Sequence, residues 1–347
     1  MSLNSCLCKA AYALGGTVWY STSYMKAAVY TKYGPPEVLQ VKETDKPPYK
    51  NNEILVQVYA SSVNRTDSGF LRAKPAVVRL FSGLSKPKRT ILGCEYAGKV
   101  VAVGADVTKY KLGDKVFGFN DAKFGGHGQF AVFADTDPMA IMPKSASYEQ
   151  MAAATEGAHY ALSYIRAFGA HKGQKVLVNG ATGAIGSAGM QLLKQMGVYV
   201  VATSTTKNVD LIKSLGPDKV IDWQTTDFTK CGELFDVVFD SVGKSSFKAC
   251  KPLLKPGGVY VSSELGPKGQ NPLLGIVSPL YKLFGAKRVM FPLPKNTVEI
   301  IEYLRDRVAD GSFKPVIDKT YPLASIVDAY TYVESGNKTG AVVIQVQ

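Results

Sequence analysis

The sequence is short of the residues that build metal and disulfide frameworks, with three histidines and five cysteines in 347 residues and no Cys-x-x-Cys among Cys6, Cys8, Cys94, Cys231 and Cys250. An odd, scattered set of thiols excludes a disulfide scaffold and a structural zinc cluster, and it fits a reducing cytoplasm best. No stretch approaches the roughly 18 uninterrupted apolar residues of a membrane span. Internal repeats beyond strand-helix alternation and low-complexity tracts are also absent, which sets aside solenoids and fibrous arrays. What is present is an ordinary globular composition, 46% hydrophobic and 20% charged, and a length that predicts two domains. The formal net charge is +13, which favours an anionic partner: a phosphorylated cofactor, an acidic substrate, a membrane surface or nucleic acid. The densest basic run, Lys86-Pro87-Lys88-Arg89, is short and reads as a solvated loop, and no aromatic RNA-binding motif accompanies it. Nucleic acid is therefore the minority reading.

Met25-Lys26-Ala27-Ala28-Val29-Tyr30 has the pattern of a domain start, so residues 1–24 read as an N-terminal extension. Its apolar part, Ala10 to Val18, follows a single Lys9 and is rich in Gly, a poor match to an export signal. From Lys26 to about Pro143, β-rich runs (Lys26 to Tyr30, Ile54 to Ala60, Ala97 to Val103, Gln129 to Ala134) are broken by Gly and Pro, which predicts a mostly β domain. Beyond Pro143 the character changes. Runs of parallel-strand type at 176–178, 198–202, 220–221, 237–239 and 259–261 alternate with helical stretches, as in a doubly wound α/β sheet. A helix over Thr297 to Val308 and strands at Pro315 to Ile317 and Ala341 to Gln345 are expected to return to the first domain. The division is then 25–145 with 287–347 for the β-rich domain and 146–286 for the α/β domain. Pro272 to Ala286 is apolar but too short to cross a bilayer; a packed helix beside a cleft is favoured over a lid or a membrane-surface contact.

The most informative stretch runs from Lys175 to Gly189, where a strand enters the turn Gly180-Ala181-Thr182-Gly183-Ala184-Ile185-Gly186 and a helix follows. A helix N-terminus presents free N–H groups and partial positive charge, and glycines let a pyrophosphate approach the backbone. Ala181 makes this the A-x-G-x-x-G variant of the dinucleotide fingerprint. About 20 residues on, where NAD-binding sites usually carry a carboxylate, the second strand ends Ser204-Thr205-Thr206-Lys207-Asn208. Hydroxyls and a lysine suit a 2′-phosphate, so NADPH is the expected cofactor. Asp240-Ser241-Val242-Gly243 ends another parallel strand and is expected to line the same cleft.

Taken with Tyr33-Gly34-Pro35-Pro36-Glu37-Val38-Leu39, Ser62-Val63-Asn64-Arg65-Thr66-Asp67, Ile91 to Gly98, Gly113 to Gly118, Val220-Ile221-Asp222 and Lys314 to Asp318, the sequence resembles the zinc-independent, quinone oxidoreductase-like medium-chain dehydrogenases/reductases from Met25 to its end. The resemblance implies a Rossmann fold beside a GroES-like, mostly β catalytic domain, with the nicotinamide between them. It implies NADPH-dependent hydride transfer to quinones or other conjugated carbonyls (enones), and, by analogy, a homodimer. Zinc-dependent relatives have Cys where this chain has Asn64 and His where it has Cys94, and a thiol with Glu95 or Glu156 is a poor zinc set, so no metal is expected. Asn64 is the first candidate to donate to a substrate oxygen, and Asp67 to orient nearby groups or hold the active-site loop. Tyr160, where relatives have Thr, could donate a proton, narrow the pocket or pack. Trp223 stands where relatives often have Tyr, and either stacks near the adenine or joins the core. Asn337 and Lys338 could reach the cofactor. Two rivals stay in view: a 2-enoyl thioester reductase on the same fold, and a nucleotide-binding protein whose work is to contact RNA or a membrane surface.

Overall fold

The computed structural model describes residues 23–266, 269–282 and 286–347; the extension expected over 1–24 lies outside them but for Ser23 and Tyr24. The first body is built from β1 (Tyr24–Val29), β2 (Gln40–Asp45), β3 (Glu53–Val63), α1 (Arg65–Arg72), α2 (Val78–Ser82), β4 (Glu95–Val103), β5 (Lys115–Phe119), β6 (Phe130–Ala134), β7 (Met139–Ile141) and α3 (Tyr148–Ala152). The second comprises α4 (Glu156–Phe168), β8 (Lys175–Asn179), α5 (Ala184–Gln195), β9 (Tyr199–Ser204), α6 (Val209–Ser214), β10 (Lys219–Asp222), β11 (Phe235–Asp240), α7 (Phe247–Cys250), β12 (Leu254–Ser262), α8 (Gln270–Lys282), β13 (Arg288–Met290) and α9 (Val298–Ala309). The chain ends with β14 (Ile317–Pro322), α10 (Ile326–Glu334) and β15 (Ala341–Gln345), which rejoin the first body.

The catalytic sheet has the order β14-β15-β3-β4-β5-β7, with β6 also on β3. β3 is its spine: it pairs antiparallel with β15, β4 and β6, and Ile54, Val56, Val58 and Ala60 are fully buried. This period of two, apolar on one face, is what holds the register against a one-residue slip. A separate antiparallel pair, β1 with β2, was legible only in its first strand.

The α/β body has the parallel order β10-β9-β8-β11-β12-β13. Its central strands are runs such as Val176-Leu177-Val178 and Val237-Val238-Phe239, buried on both faces as a helix-covered parallel sheet requires. Sequence order reverses between β8 and β11, and the turns that leave the ends of those two strands meet there.

Two expected boundaries move. β13 pairs in parallel with β12, so residues 288–290 extend the α/β sheet and the return crossing lies beyond Met290, not at residue 287. At the other border, Tyr148 of α3 stacks on Tyr59 of β3 with ring centroids 4.5 Å apart, which assigns α3 to the catalytic body and starts the α/β body at α4. Pro315 to Ile317 was expected to be a strand, whereas the strand begins at Ile317 and runs to Pro322.

Candidate active site

The cleft is built where α1, the start of α4, the β8–α5 turn and the segment 337–340 converge. Gly183 caps α5 without a side-chain bond, which leaves the first amides of that helix free to face an anion. A Cβ on Gly186 would lie 2.2 Å from the Gly180 carbonyl oxygen and 2.7 Å from Ser241 Oγ, so only glycine lets this turn fold against the end of β11. Thr182, Gly183, Ala184 and Ile185 keep partial exposure, whereas Ala181 is fully buried and contributes backbone alone. Gly157 brings α4 against the same turn; a Cβ there would sit 2.6 Å from the Ala184 carbonyl carbon. The C-terminal segment closes the other side, with Gly340 N donating to Thr182 O at 2.7 Å and Asn208 Nδ2 to Thr339 Oγ1 at 2.9 Å.

At the end of β9, Lys207 is exposed and forms no ion pair among the described residues. Thr205 borders it. The hydroxyl of Ser204, by contrast, is buried and donates to Thr205 O at 3.0 Å, so Ser204 supports the loop from beneath. The neighbouring Asp222 carboxylate is occupied, accepting from Thr206 Oγ1 at 2.6 Å and Gln224 N at 3.0 Å. Trp223 is 48% exposed next to this loop, which removes the core reading and leaves its ring accessible to a purine. Asp240 was expected to touch the cofactor, but it is fully buried, accepting from Asn179 Nδ2, Gly243 N and Tyr260 Oη. It shapes the turn that presents Val242 and Gly243.

Asn64 departs most clearly from expectation. It is the N-cap of α1: its side chain accepts from Asp67 N at 3.0 Å, and Asp67 Oδ2 accepts from Asn64 N at 3.2 Å, a reciprocal capping box. Its Nδ2 donates to Cys94 Sγ at 3.0 Å and to Glu95 Oε2 at 3.3 Å. With 3% exposure and both sides of the amide engaged, Asn64 has no donor to offer a substrate. Asp67 is wholly buried; its Oδ1 accepts from Gly93 N at 3.0 Å and Cys94 N at 3.3 Å, which ties the 91–94 loop to α1. Burial raises its carboxyl to about 7 against the pull of those amides. Both are positioning residues.

Glu95 knots the two bodies together. Its Oε1 accepts from Thr155 Oγ1 at 2.7 Å and Glu156 N at 2.6 Å, and its Oε2 from Ser62 Oγ and Asn64 Nδ2. The next carboxyl, Glu156, is 8% exposed and accepts from Thr66 Oγ1 at 2.9 Å. Burial, then the charge of Glu95, push Glu156 well above the ordinary carboxyl range, and the Lys338 ammonium opposes the shift. Lys338 donates to Gly340 O at 2.6 Å; burial lowers its pKa while Glu156 and Glu95 act against that. Tyr160, half-buried one turn along α4, lies near Thr66, and burial followed by Glu156 keeps its phenol protonated. The structure therefore joins Thr66, Glu156, Tyr160 and Lys338 into one cluster, of which Tyr160 alone was proposed as catalytic from the sequence. Across the cleft mouth, Arg65 Nη1 meets Glu264 Oε1 at 2.8 Å. His127 and His159 are buried and pushed down to about 4 by that burial, so both are neutral.

A two-domain nicotinamide-dinucleotide oxidoreductase is the class that this sheet order, this turn and this cleft define. The GroES-like domain of alcohol dehydrogenases matches residues 50–156, and the family described as zinc-binding dehydrogenase matches 215–344. The chain is 33% identical to the 2-methylene-furan-3-one reductase of Solanum lycopersicum over 93% of its own length and 79% of the relative's. It is 29% identical to the NADPH-dependent alkenal/one oxidoreductase, chloroplastic, of Arabidopsis thaliana, covering 92% and 79%. The solved quinone oxidoreductase of Coxiella burnetii superposes with a TM-score of 0.81 at 25% identity, covering 93% and 100%. The chain belongs to the quinone oxidoreductase-like family of medium-chain dehydrogenases/reductases.

Zinc does not fit this site. The Cys94 thiol is raised well above its ordinary pKa by burial and by Asp67, Glu156 and Glu95, and Asn64 occupies its sulfur. Among the described residues no group of three or more His, Cys, Asp or Glu is placed to hold a metal ion.

Proposed function

We propose that this protein reduces enones and quinones with NADPH, and does so without zinc. The observation that carries the cofactor choice is the exposed Lys207, without an ion pair among the described residues, beside hydroxyls at the end of β9, with the neighbouring Asp222 carboxylate already bonded to Thr206. The α5 N-terminus, with Lys338 behind it, suits the pyrophosphate, and Trp223 suits the adenine. Bound in this cleft, NADPH would supply the hydride that the acceptor takes up.

The chain's own residues must then place a proton. Hydride addition moves an electron pair onto the carbonyl oxygen; the resulting enolate takes a proton at its α-carbon, and a quinone takes it on oxygen. Tyr160 is the donor on the cleft side, with Thr66, which is bonded to the Glu156 carboxyl, close enough to pass a proton between them. Glu156, kept protonated by burial and by Glu95, restores the proton, and Lys338 stabilises the carboxylate left behind. A homodimer in the cytoplasm belongs to the same proposal. The experiment is NADPH oxidation by the purified protein with ortho- and para-quinones, enones and an enoyl-CoA, with NADH as control and zinc determined by elemental analysis. Turnover of quinones or enones with NADPH in a zinc-free preparation is expected. Activity confined to enoyl-CoA, or one zinc per chain, would replace this reading.

A further inference from the structure

Between Asp67 and Glu95 the chain has no acidic residue, while Arg72, Lys74, Arg79, Lys86, Lys88 and Arg89 are all basic. Within this stretch Val77, Leu80, Phe81 and Leu84 are 54, 66, 73 and 72% exposed. Leu84 lies beyond the end of α2 at Gly83, while Val77, Leu80 and Phe81 have the i, i+3, i+4 spacing that normally turns an apolar face towards a core. Here it faces outward, and the inner side is anchored. Ser82 is buried and bonded to Tyr33 Oη at 2.7 Å, Tyr33 also donates to Gly83 O at 2.7 Å, and Arg79 lies over the Tyr33 ring while donating to Leu84 O at 2.9 Å. The apolar side chains are thus held out by specific bonds. Lys74, Lys86, Lys88 and Arg89 are exposed around them.

We infer that this face, centred on α2, docks the protein onto an anionic lipid surface, with Leu80 and Phe81 entering the headgroup–acyl boundary and Lys86, Lys88 and Arg89 meeting lipid phosphates. A charge of one sign around an exposed apolar patch matches a plane of anionic headgroups. A second copy is a poor occupant, because a two-fold contact would set each basic cluster against its own like. RNA is also a poor match, since three of the four exposed side chains are aliphatic and cannot stack on bases. The face lies beside α1, whose eight residues lead back about 12 Å to Arg65 and Thr66 at the cleft, so docking would bring the cleft close to membrane-dissolved compounds. This inference concerns the surface and stands apart from the chemistry proposed for the cleft.

The test is flotation of the full chain with vesicles of phosphatidylcholine alone and of phosphatidylcholine with phosphatidylglycerol, at low and high salt. Wild type should float with the anionic vesicles only, and less at high salt. The variants Leu80→Ser/Phe81→Ser and Lys86→Ser/Lys88→Ser/Arg89→Ser should each lower the partition coefficient more than about tenfold. NADPH binding and turnover of a water-soluble quinone should be unchanged in both, which reports an intact fold. Three results would overturn the inference: wild type remaining with the soluble fraction, Leu80→Ser/Phe81→Ser floating as well as wild type, or an oligomer that this double substitution dissolves. Failure of every acceptor in the turnover assay would refute the reductase reading while leaving the flotation result to stand by itself.

Discussion

Replacing Asp67 by Asn tests how the catalytic body handles a wholly buried carboxyl. Burial moves this group from an ordinary 3.8 to about 7, a difference of about 4 kcal/mol between its two protonation states. A carboxyl raised in the folded state binds its proton more tightly there than in the unfolded chain. Its stabilising contribution is therefore complete below 3.8 and is lost as pH rises through about 7. From about pH 5 to about pH 8.5, wild type should lose about 3 kcal/mol relative to Asp67→Asn, which carries no ionisable group. The Asn oxygen can still accept from Gly93 N and Cys94 N, but its amide would face Asn64 N donor to donor, and losing half of the capping box costs about 1 kcal/mol at every pH. The pH-dependent part is isolated by urea unfolding of both proteins over that range. A wild-type-to-variant difference that stays constant with pH would mean that Asp67 is ionised throughout and that the three amides outweigh burial.

Lys207→Ala should weaken NADPH by about 1 to 3 kcal/mol and leave NADH nearly unchanged; equal loss for both in fluorescence titrations would remove Lys207 from the 2′-phosphate. Gly186→Ala should lower the thermal stability of the ligand-free protein by about 1 to 3 kcal/mol, because the new Cβ meets backbone. Gly183→Ala, whose Cβ would come no nearer than 3.5 Å to Gly180 O, should leave the midpoint in place, and matched effects would refute the packing argument. Glu156→Gln should lower kcat and abolish its decline at alkaline pH. The sign follows from a carboxyl raised above its ordinary value, active while protonated and lost as pH climbs through its folded pKa. Persistence of that limb in the variant would assign it to another group.

Elements whose cause is local were readable in advance. The Val-rich strands of the α/β sheet, the Gly-rich turn and the helix α9 all depend on neighbours within a few positions. Asn64 misled because Asn-x-x-Asp serves equally as a helix cap and as a site motif, and which one holds is decided by Cys94 and Glu95, thirty residues away. Thr66 with Glu156, and Glu156 with Lys338, are pairings between distant segments that leave no periodic trace. The domain border slipped for a related reason, since a strand as short as Arg288–Met290 declares its sheet only through its partner.

The position of β15 governs the order in which the protein can be made. It lies inside the catalytic sheet, between β14 and β3, with Val342 opposite Val63 and Val343 opposite Ser62. During synthesis β3 emerges early and can pair with β4 and β6, but its stretch from Ala60 to Val63 keeps an open edge until β15 is made, after all the described strands of the α/β body. The catalytic body is begun first and completed last, and in that interval its open strand edge is the protein's point of greatest exposure to misassembly.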